Sequence, residues 1–145
     1  MRALLAAIAF ALLAAAPSLP ADAQSRPEFQ LIVHSSNPAQ SIDRKFVADA
    51  FLKKVTRWSD DQVIQPVDMI PSSPVRRAFS EAVLERSVGA VKSYWQQLIF
   101  SGRSLPAPEL DGDDAVVAYV ASHPGAIGYV SGGAILRGVK LLAVR

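Results

Sequence analysis

Apolar residues along this chain fall into two alternating patterns, short continuous runs and stripes repeated at helical spacing. Short buried strands are predicted from the continuous runs at residues 29–33, 63–67, 127–130 and 139–144. Four or five helices are predicted between them, from stripes of apolar residues within 42–55, 75–83, 88–99 and 116–120. The alternation predicts an α/β domain with a short, mostly parallel sheet flanked by helices.

The first two strand runs are separated by a helical stripe. A strand, a helix and a second strand in this order predict a right-handed parallel crossover between residues 29–33 and 63–67. Pro66 has no N–H to donate to a neighbouring strand, so a place at an edge or end of the sheet suits it.

Polar residues at the ends of the stripes predict where the helices begin and end. Ser41, with Asp43 in the first turn, is expected to begin the first helix, which should end near residues 53–56. Ser73 is expected to cap the second helix, with Pro74 in its first position. Ser87 is expected to begin the third helix, and Gly102 to end it. Asp111 or Asp113 is expected to cap the start of the fourth.

Residues 123–130 predict a helix end followed by a strand with glycine at its centre. Pro124 cannot continue a helix, and Gly125 supplies a tight turn. Gly128 leaves strand backbone uncovered by a side chain, so something is expected to pack closely there. Either neighbouring protein, as when a helix docks against the sheet, or a ligand would satisfy this pattern.

The amino terminus has the pattern of a secretory signal peptide. A positive start at Arg2 precedes an apolar run at residues 3–16, and Ala21 to Ala23 form an Ala-x-Ala cleavage site. An uncleaved anchor is the alternative, but the run is shorter than the roughly 20 residues of a spanning helix. Residues 1–23 are therefore predicted to be removed on export, which leaves one domain at residues 24–145.

Composition narrows the classes of function. The net charge is +2 and the basic residues are scattered, so no nucleic-acid partner is predicted. The chain has no cysteine, which excludes disulfides, thiol nucleophiles and cysteine-based zinc sites. An exported domain of this kind must fold by burial of apolar surface alone.

Catalytic patterns are absent from the sequence. The two histidines, His34 and His123, lack the spacing of metal ligands, and neither a nucleophile elbow nor a phosphate-binding glycine loop occurs. Trp58 and Trp95 are expected to anchor the core. Neither enzymatic activity nor a cofactor or metal is predicted.

Three segments together resemble the phosphate-binding periplasmic proteins of ABC importers. Residues 51–58 read Phe-Leu-Lys-Lys-Val-Thr-Arg-Trp, residues 94–102 combine Tyr-Trp with Ile-Phe-Ser-Gly, and residues 124–130 read Pro-Gly-Ala-Ile-Gly-Tyr-Val. The resemblance implies the type II periplasmic binding protein fold and a periplasmic location. In that family two lobes enclose the ligand, whereas the length of this chain predicts a single lobe.

The resemblance also implies where an anion would bind. In the family, an Arg precedes a Ser-Gly-Thr turn at a helix N-terminus, where free N–H groups face phosphate. Here Ser73 matches the serine, while Met69 stands at the Arg position and Pro74 and Val75 replace Gly and Thr. Ser72, Ser73 and Arg76 are the remaining candidates, and the alternative is a helix cap beside a solvated basic face.

Two further places are candidates because ligands of open α/β sheets bind beyond the carboxyl ends of strands. Ser35, Ser36 and Asn37 follow the first strand, although a turn before Pro38 explains them equally. Asp68 follows the second strand, where it either accepts a hydrogen bond from a protonated phosphate or caps a neighbouring loop.

Two functions follow from these observations. The leading hypothesis is an exported solute-binding-like protein that binds phosphate or another small oxyanion. The alternative is a ligand-free single lobe that serves as an accessory or adaptor protein and contacts an envelope partner. A second copy of the chain could also supply the missing wall of the cleft, as a homodimer.

Overall fold

The computed structural model describes residues 28–145, so the predicted signal peptide lies outside the described residues. Within this range, none of the helices combines the length and hydropathy needed to cross a membrane. The strands are β1 (Gln30–His34), β2 (Ser41–Ile42), β3 (Gln65–Pro66), β4 (Asp68–Met69), β5 (Glu109–Leu110), β6 (Ala126–Val130) and β7 (Val139–Val144). The helices are α1 (Arg44–Phe51), α2 (Pro74–Phe79), α3 (Val88–Phe100) and α4 (Asp113–Ser122), and a π-helical turn (Ser80–Leu84) continues α2.

The main sheet has five strands in the order β2-β7-β1-β6-β3. β2 is parallel to β7 and β3 is parallel to β6, whereas β1 is antiparallel to both of its neighbours, β6 and β7. Four of the five strands therefore share one direction, which confirms the prediction of a mostly parallel sheet. A separate pair is formed by β4 and β5, which run parallel.

The predicted parallel crossover between the first two strands is wrong. β6 lies between β1 and β3, and β1 runs opposite to both. β1 is buried on both faces, with Leu31, Ile32 and Val33 at most 2% exposed, so it takes a central place beside strands from the far end of the chain. Pro66 lies in the edge strand β3, where its missing N–H costs no ladder bond, and that prediction is confirmed.

Helices cover both faces of the sheet. An added Cβ on Gly128 would lie 2.8 Å from Cγ1 of Val116 and 2.9 Å from Cγ1 of Val67, so α4 packs directly onto the strand at this glycine. On the opposite face, the Tyr129 ring stacks on Phe79 with centroids 4.0 Å apart. The close packing predicted at Gly128 is therefore confirmed, and neighbouring side chains provide it.

Several predicted helix ends are confirmed. Ser73 accepts the N–H of Arg76 at the start of α2 and has Pro74 next to it, and Ser87 accepts the N–H of Ala90 at the start of α3. Gly102 follows α3 with φ of 67°, the left-handed conformation that ends helices. Trp58 and Trp95, only 7% and 6% exposed, belong to the core as predicted.

The start of α1 differs from the prediction. Ser41 belongs to β2 and pairs with β7, so Asp43 takes the N-cap position instead. The helix ends at Phe51, before the predicted residues 53–56, because Lys53 adopts a left-handed conformation with φ of 54°.

The start of α4 also differs, since the cap position is held by Gly112 rather than by Asp111 or Asp113. Asp113 is the first helical residue, and its carboxylate accepts the N–H and hydroxyl of Ser131. The second predicted strand divides between β3 and β4, and β4 leaves the main sheet to pair with β5.

Replacing Gly89 with alanine is expected to stabilise the protein by about 0.5 kcal/mol, since glycine is a poor helix former. Gly89 lies in the first turn of α3, and an added Cβ would meet nothing closer than the Ser87 hydroxyl oxygen at 3.9 Å. Urea unfolding should show a higher midpoint with an unchanged slope. A lower midpoint would show that this turn is more crowded than the structure indicates.

Candidate ligand-binding site

The loop between β4 and α2 carries the serines that sequence reasoning selected. Pairing of β4 with β5 fixes its start, where the N–H of Ile70 donates to the carbonyl of Leu110 at 3.1 Å. Its end is fixed by the N–H of Ser73, which donates to the carbonyl of Ile70 at 3.0 Å. The loop is therefore held at both ends, with Ser72 exposed between them.

An open groove of about 360 Å³ lies between this loop and the start of α4. Its lining residues are Met69, Ile70, Ser72, Ser73, Pro74, Val75, Asp111, Gly112 and Asp113. The groove therefore has a wall of hydroxyls and helix N–H groups and, facing it, a wall with two carboxylates. Within residues 28–145, no three His, Asp or Glu side chains are placed to hold a metal ion.

Some polar groups on the serine wall already make hydrogen bonds within the protein. The Ser73 hydroxyl accepts the N–H of Arg76 and donates to the sulfur of Met69, both at 3.3 Å, and sulfur is a weak acceptor. Pro74 has no N–H, whereas the amide of Val75 is in the first turn, where helical carbonyls cannot satisfy it. Two hydroxyls and one amide are thus the donors that this wall offers a ligand.

Arg76 lies beneath the loop and is already paired. Its side chain is only 5% exposed. Nη1 donates to the carbonyl of Met69 at 2.5 Å and to the carboxylate of Glu109 at 2.6 Å, and Nη2 lies 3.3 Å from the carboxylate of Asp68. The sequence-based alternative of a solvated basic face is wrong for Arg76, although the neighbouring Arg77 is exposed.

Asp68 joins the same network from β4. Its carboxylate accepts the hydroxyl of Tyr129 and the N–H of Met69. Burial raises the pKa of Asp68, and the Arg76 guanidinium opposes that rise. Burial and the nearby Asp68 charge likewise raise the pKa of Tyr129. The network of Asp68, Arg76, Glu109 and Tyr129 ties α2, β4, β5 and β6 together directly below the serine loop.

Ser35, Ser36 and Asn37 lie at the other end of the sheet. Because β1 runs antiparallel to its neighbours, its carboxyl end meets the first residue of β7, with His34 opposite Val139. Ser36 bonds the ring nitrogen of His34 at 2.7 Å, and the amide oxygen of Asn37 accepts the N–H of Ala39 at 2.9 Å. These contacts form a turn, and the structure does not bring these residues together with Ser72, Ser73 and Arg76.

Sequence reasoning missed two members of the network, Glu109 and Tyr129. Tyr129 carried a signal, because its strand is otherwise apolar and a buried tyrosine hydroxyl needs a partner. Glu109 carried none, since it stands in a proline-rich segment that is 33 residues from Arg76 along the chain. The sequence predicts Asp111 or Asp113 as a helix cap, whereas the structure places both residues on the groove.

The comparison with protein families assigns the class of this fold. Residues 26–142 match the family model of the PBP superfamily domain, and the chain belongs to that superfamily of periplasmic binding proteins. The match extends from just before the described residues to β7, so it includes both the serine loop and the network beneath it. The superfamily resemblance seen in the sequence is confirmed.

Several solved structures have a similar fold. One is a phosphate ABC transporter substrate-binding protein from Clostridium perfringens with bound phosphate, with a TM-score of 0.64 and 23% identity. The match covers 81% of this chain and 44% of the Clostridium protein. An ABC-type phosphate transport receptor from Vibrio cholerae matches with a TM-score of 0.63 and 20% identity, over 81% of this chain and 46% of the receptor. PstS from Borrelia burgdorferi matches with a TM-score of 0.62 and 13% identity, over 81% of this chain and 47% of PstS. The chain therefore spans less than half the length of these proteins, and the likeness establishes the fold of a single lobe.

Proposed function

We propose that this chain is an exported solute-binding lobe that takes a small oxyanion, such as phosphate, in the groove at the start of α2. The observation that carries the proposal is the paired serines, Ser72 and Ser73, at a helix N-terminus that opens into a groove of suitable size. Free N–H groups and the helix dipole favour an anion at such a position. Superfamily membership and the phosphate-bound fold relative support it.

The affinity of the lobe alone is expected to be low, with a dissociation constant of about 1 mM. Two hydroxyls and one amide at about 1 kcal/mol each supply roughly 3 kcal/mol, and the helix dipole adds a fraction more, against about 4 kcal/mol for millimolar binding. Arg76 contributes little while Asp68 and Glu109 neutralise it. Asp111 and Asp113 on the facing wall repel an anion.

Titration of residues 24–145 with inorganic phosphate, followed by NMR, tests the proposal. The amide signals of Ser72, Ser73 and Val75 should shift together and saturate in the millimolar range. Ser72→Ala, which removes one exposed hydroxyl, should weaken binding about fivefold, the equivalent of one hydrogen bond. Ser35→Ala is the matched control at the other end of the sheet and should leave the binding constant unchanged. Absence of any shift at millimolar phosphate would overturn the proposal.

A second candidate function is a ligand-free lobe that acts as an adaptor and contacts an envelope protein or a second copy of itself. Two observations favour it: Arg76 is already bonded to Met69, Asp68 and Glu109, and one wall of the groove is acidic. A pull-down from an envelope extract, together with sedimentation of the purified chain, should then reveal a partner or a dimer. Clear phosphate binding by a chain with no partner would contradict this alternative.

A further inference from the structure

We propose that the end of α3 is a docking site for an anionic lipid surface, in which apolar side chains enter the lipid and basic residues beside them bind the headgroups. The apolar residues are Ile99, Phe100 and Leu105, and together with the turn that joins them they are called the α3 tip. The α3 tip shares no residue with the lining of the serine groove, so this inference stands apart from phosphate binding.

Exposed apolar surface is concentrated at the α3 tip. Phe100 is 90% exposed, more than any other large apolar side chain of the described residues, and Leu105 and Ile99 are 68% and 46% exposed. Phe100 and Leu105 are five residues apart in the chain, so their Cα atoms lie within about 18 Å of each other. Single exposed apolar residues are ordinary, but three around one turn mark an interaction surface.

The turn at the α3 tip holds Phe100 on ordered backbone. The N–H of Arg103 donates to the carbonyl of Leu98, and the N–H of Gly102 donates to the carbonyl of Ile99, both at 3.0 Å. These two bonds, with Gly102 in the left-handed conformation, form a Schellman turn. Because the backbone is already ordered, docking of this aromatic side chain costs little further conformational entropy.

The chain around the α3 tip is basic. Residues 86–108 contain Arg86, Lys92 and Arg103 and have no Asp or Glu. Lys92 and Arg103 are exposed, and neither forms an ion pair with any described residue. Lys92 lies seven residues before Ile99, on the same stripe of the helix, and Arg103 lies in the turn itself. Both cations are therefore placed to bind anionic headgroups beside the inserted side chains.

A second copy of the chain fits the α3 tip less well than lipid does. Two copies that met there about a twofold axis would bring like charges face to face. Three side chains also supply only a few hundred Å² of apolar surface, less than the roughly 800 Å² per partner of a stable protein interface. A lipid surface needs no matching shape, and its affinity grows with inserted apolar area and opposite charge.

Sedimentation of residues 24–145 with lipid vesicles tests the inference. These residues contain the whole described fold and leave out the apolar run at 3–16, which would itself enter lipid. The chain should sediment with vesicles that contain phosphatidylglycerol and phosphatidylcholine in equal amounts. It should bind vesicles of phosphatidylcholine alone about twentyfold more weakly, because two cations lose their headgroup partners. Absence of sedimentation with the mixed vesicles would overturn the proposal.

Two variants of the α3 tip separate the apolar from the charged contribution. Phe100→Ala should weaken binding to the mixed vesicles about tenfold, since a large apolar side chain no longer enters the lipid. Arg103→Gln should weaken it about fivefold. Ile135→Ala, in the loop between β6 and β7, changes a side chain that is 68% exposed and is the matched apolar control. Arg77→Gln is the basic control on α2, and both controls should bind like the natural chain. Equal losses in variants and controls would contradict a localised site.

Phe100→Trp distinguishes insertion from electrostatic attraction alone. Trp58 and Trp95 are buried, so a change in tryptophan emission on addition of vesicles reports on the introduced indole. The emission should move to shorter wavelength as the mixed vesicles are added. Binding without that shift would show that the side chain stays in water and would overturn the insertion. A concentration-dependent dimer that Phe100→Ala abolishes would assign the α3 tip to a second copy and would likewise contradict the proposal.

Discussion

Arg76→Ala is expected to lower the free energy of unfolding by about 3–5 kcal/mol, the usual cost of breaking a buried ion pair from one side. Asp68 would keep its buried carboxylate and lose the guanidinium that neutralises it. The carbonyl of Met69 would lose its donor as well. Because domains of this size are stable by only about 5–15 kcal/mol, the loss should be obvious in urea unfolding.

Arg77→Ala provides the matched control for that measurement. Arg77 is the next residue of the same helix and is exposed, so its removal should change stability by no more than about 0.5 kcal/mol. Similar losses in the two variants would contradict a structural role for the network of Asp68, Arg76, Glu109 and Tyr129.

The pH dependence of the Arg76 variant gives a second, independent check. Burial raises the pKa of Asp68 and Arg76 opposes the rise, so the variant should have a still higher pKa at this carboxyl. The folded state then holds a proton where the unfolded chain has lost it, and stability decreases as the pH rises through that range. The deficit relative to the natural protein should therefore be smallest below about pH 4, where Asp68 is protonated in both states.

Gly125→Ala is expected to destabilise the protein by about 3 kcal/mol, from a strained backbone and a clash combined. Gly125 has φ of 87°, which side chains other than glycine rarely adopt. An added Cβ would lie 2.3 Å from the carbonyl oxygen of Val63, and backbone cannot move aside cheaply. The carbonyl of Gly125 also accepts the indole N–H of Trp58, so displacement would disturb the core.

Gly102→Ala separates the two contributions. Gly102 has a similar φ of 67°, but an added Cβ would meet no atom within 4 Å. Its replacement should therefore cost only the backbone strain, about 1 kcal/mol. Equal losses at the two glycines in thermal or urea unfolding would show that the close approach to Val63 is unimportant.

The site illustrates why membership of a binding-protein superfamily does not by itself define a ligand. The groove has serines at a helix N-terminus, yet Arg76, which is buried beneath the serine loop, already has two carboxylate partners. Its charge is therefore already neutralised within the fold. The stability of Arg76→Ala tests the structural role of this network, and the phosphate affinity of Ser72→Ala tests the groove above it.

The sequence by itself determined the features that depend on neighbouring residues. Ser73 and Ser87 cap helices and Gly102 ends one, because capping and glycine conformations are set within a few residues. Continuous apolar runs and apolar stripes at helical spacing likewise predicted an α/β fold, and the motif segments placed the chain in the correct superfamily.

Tertiary structure alone decided which candidate residues share a site. The direction of β1 depends on pairing with β6 and β7 about a hundred residues later, and that direction puts Ser35, Ser36 and Asn37 at the wrong end of the sheet. The sequence left open whether Arg76 binds a ligand or lies on a solvated face, and only the tertiary structure shows that it is buried and paired with Asp68 and Glu109. Both outcomes depend on contacts between distant parts of the chain, which periodicity and local propensity do not encode.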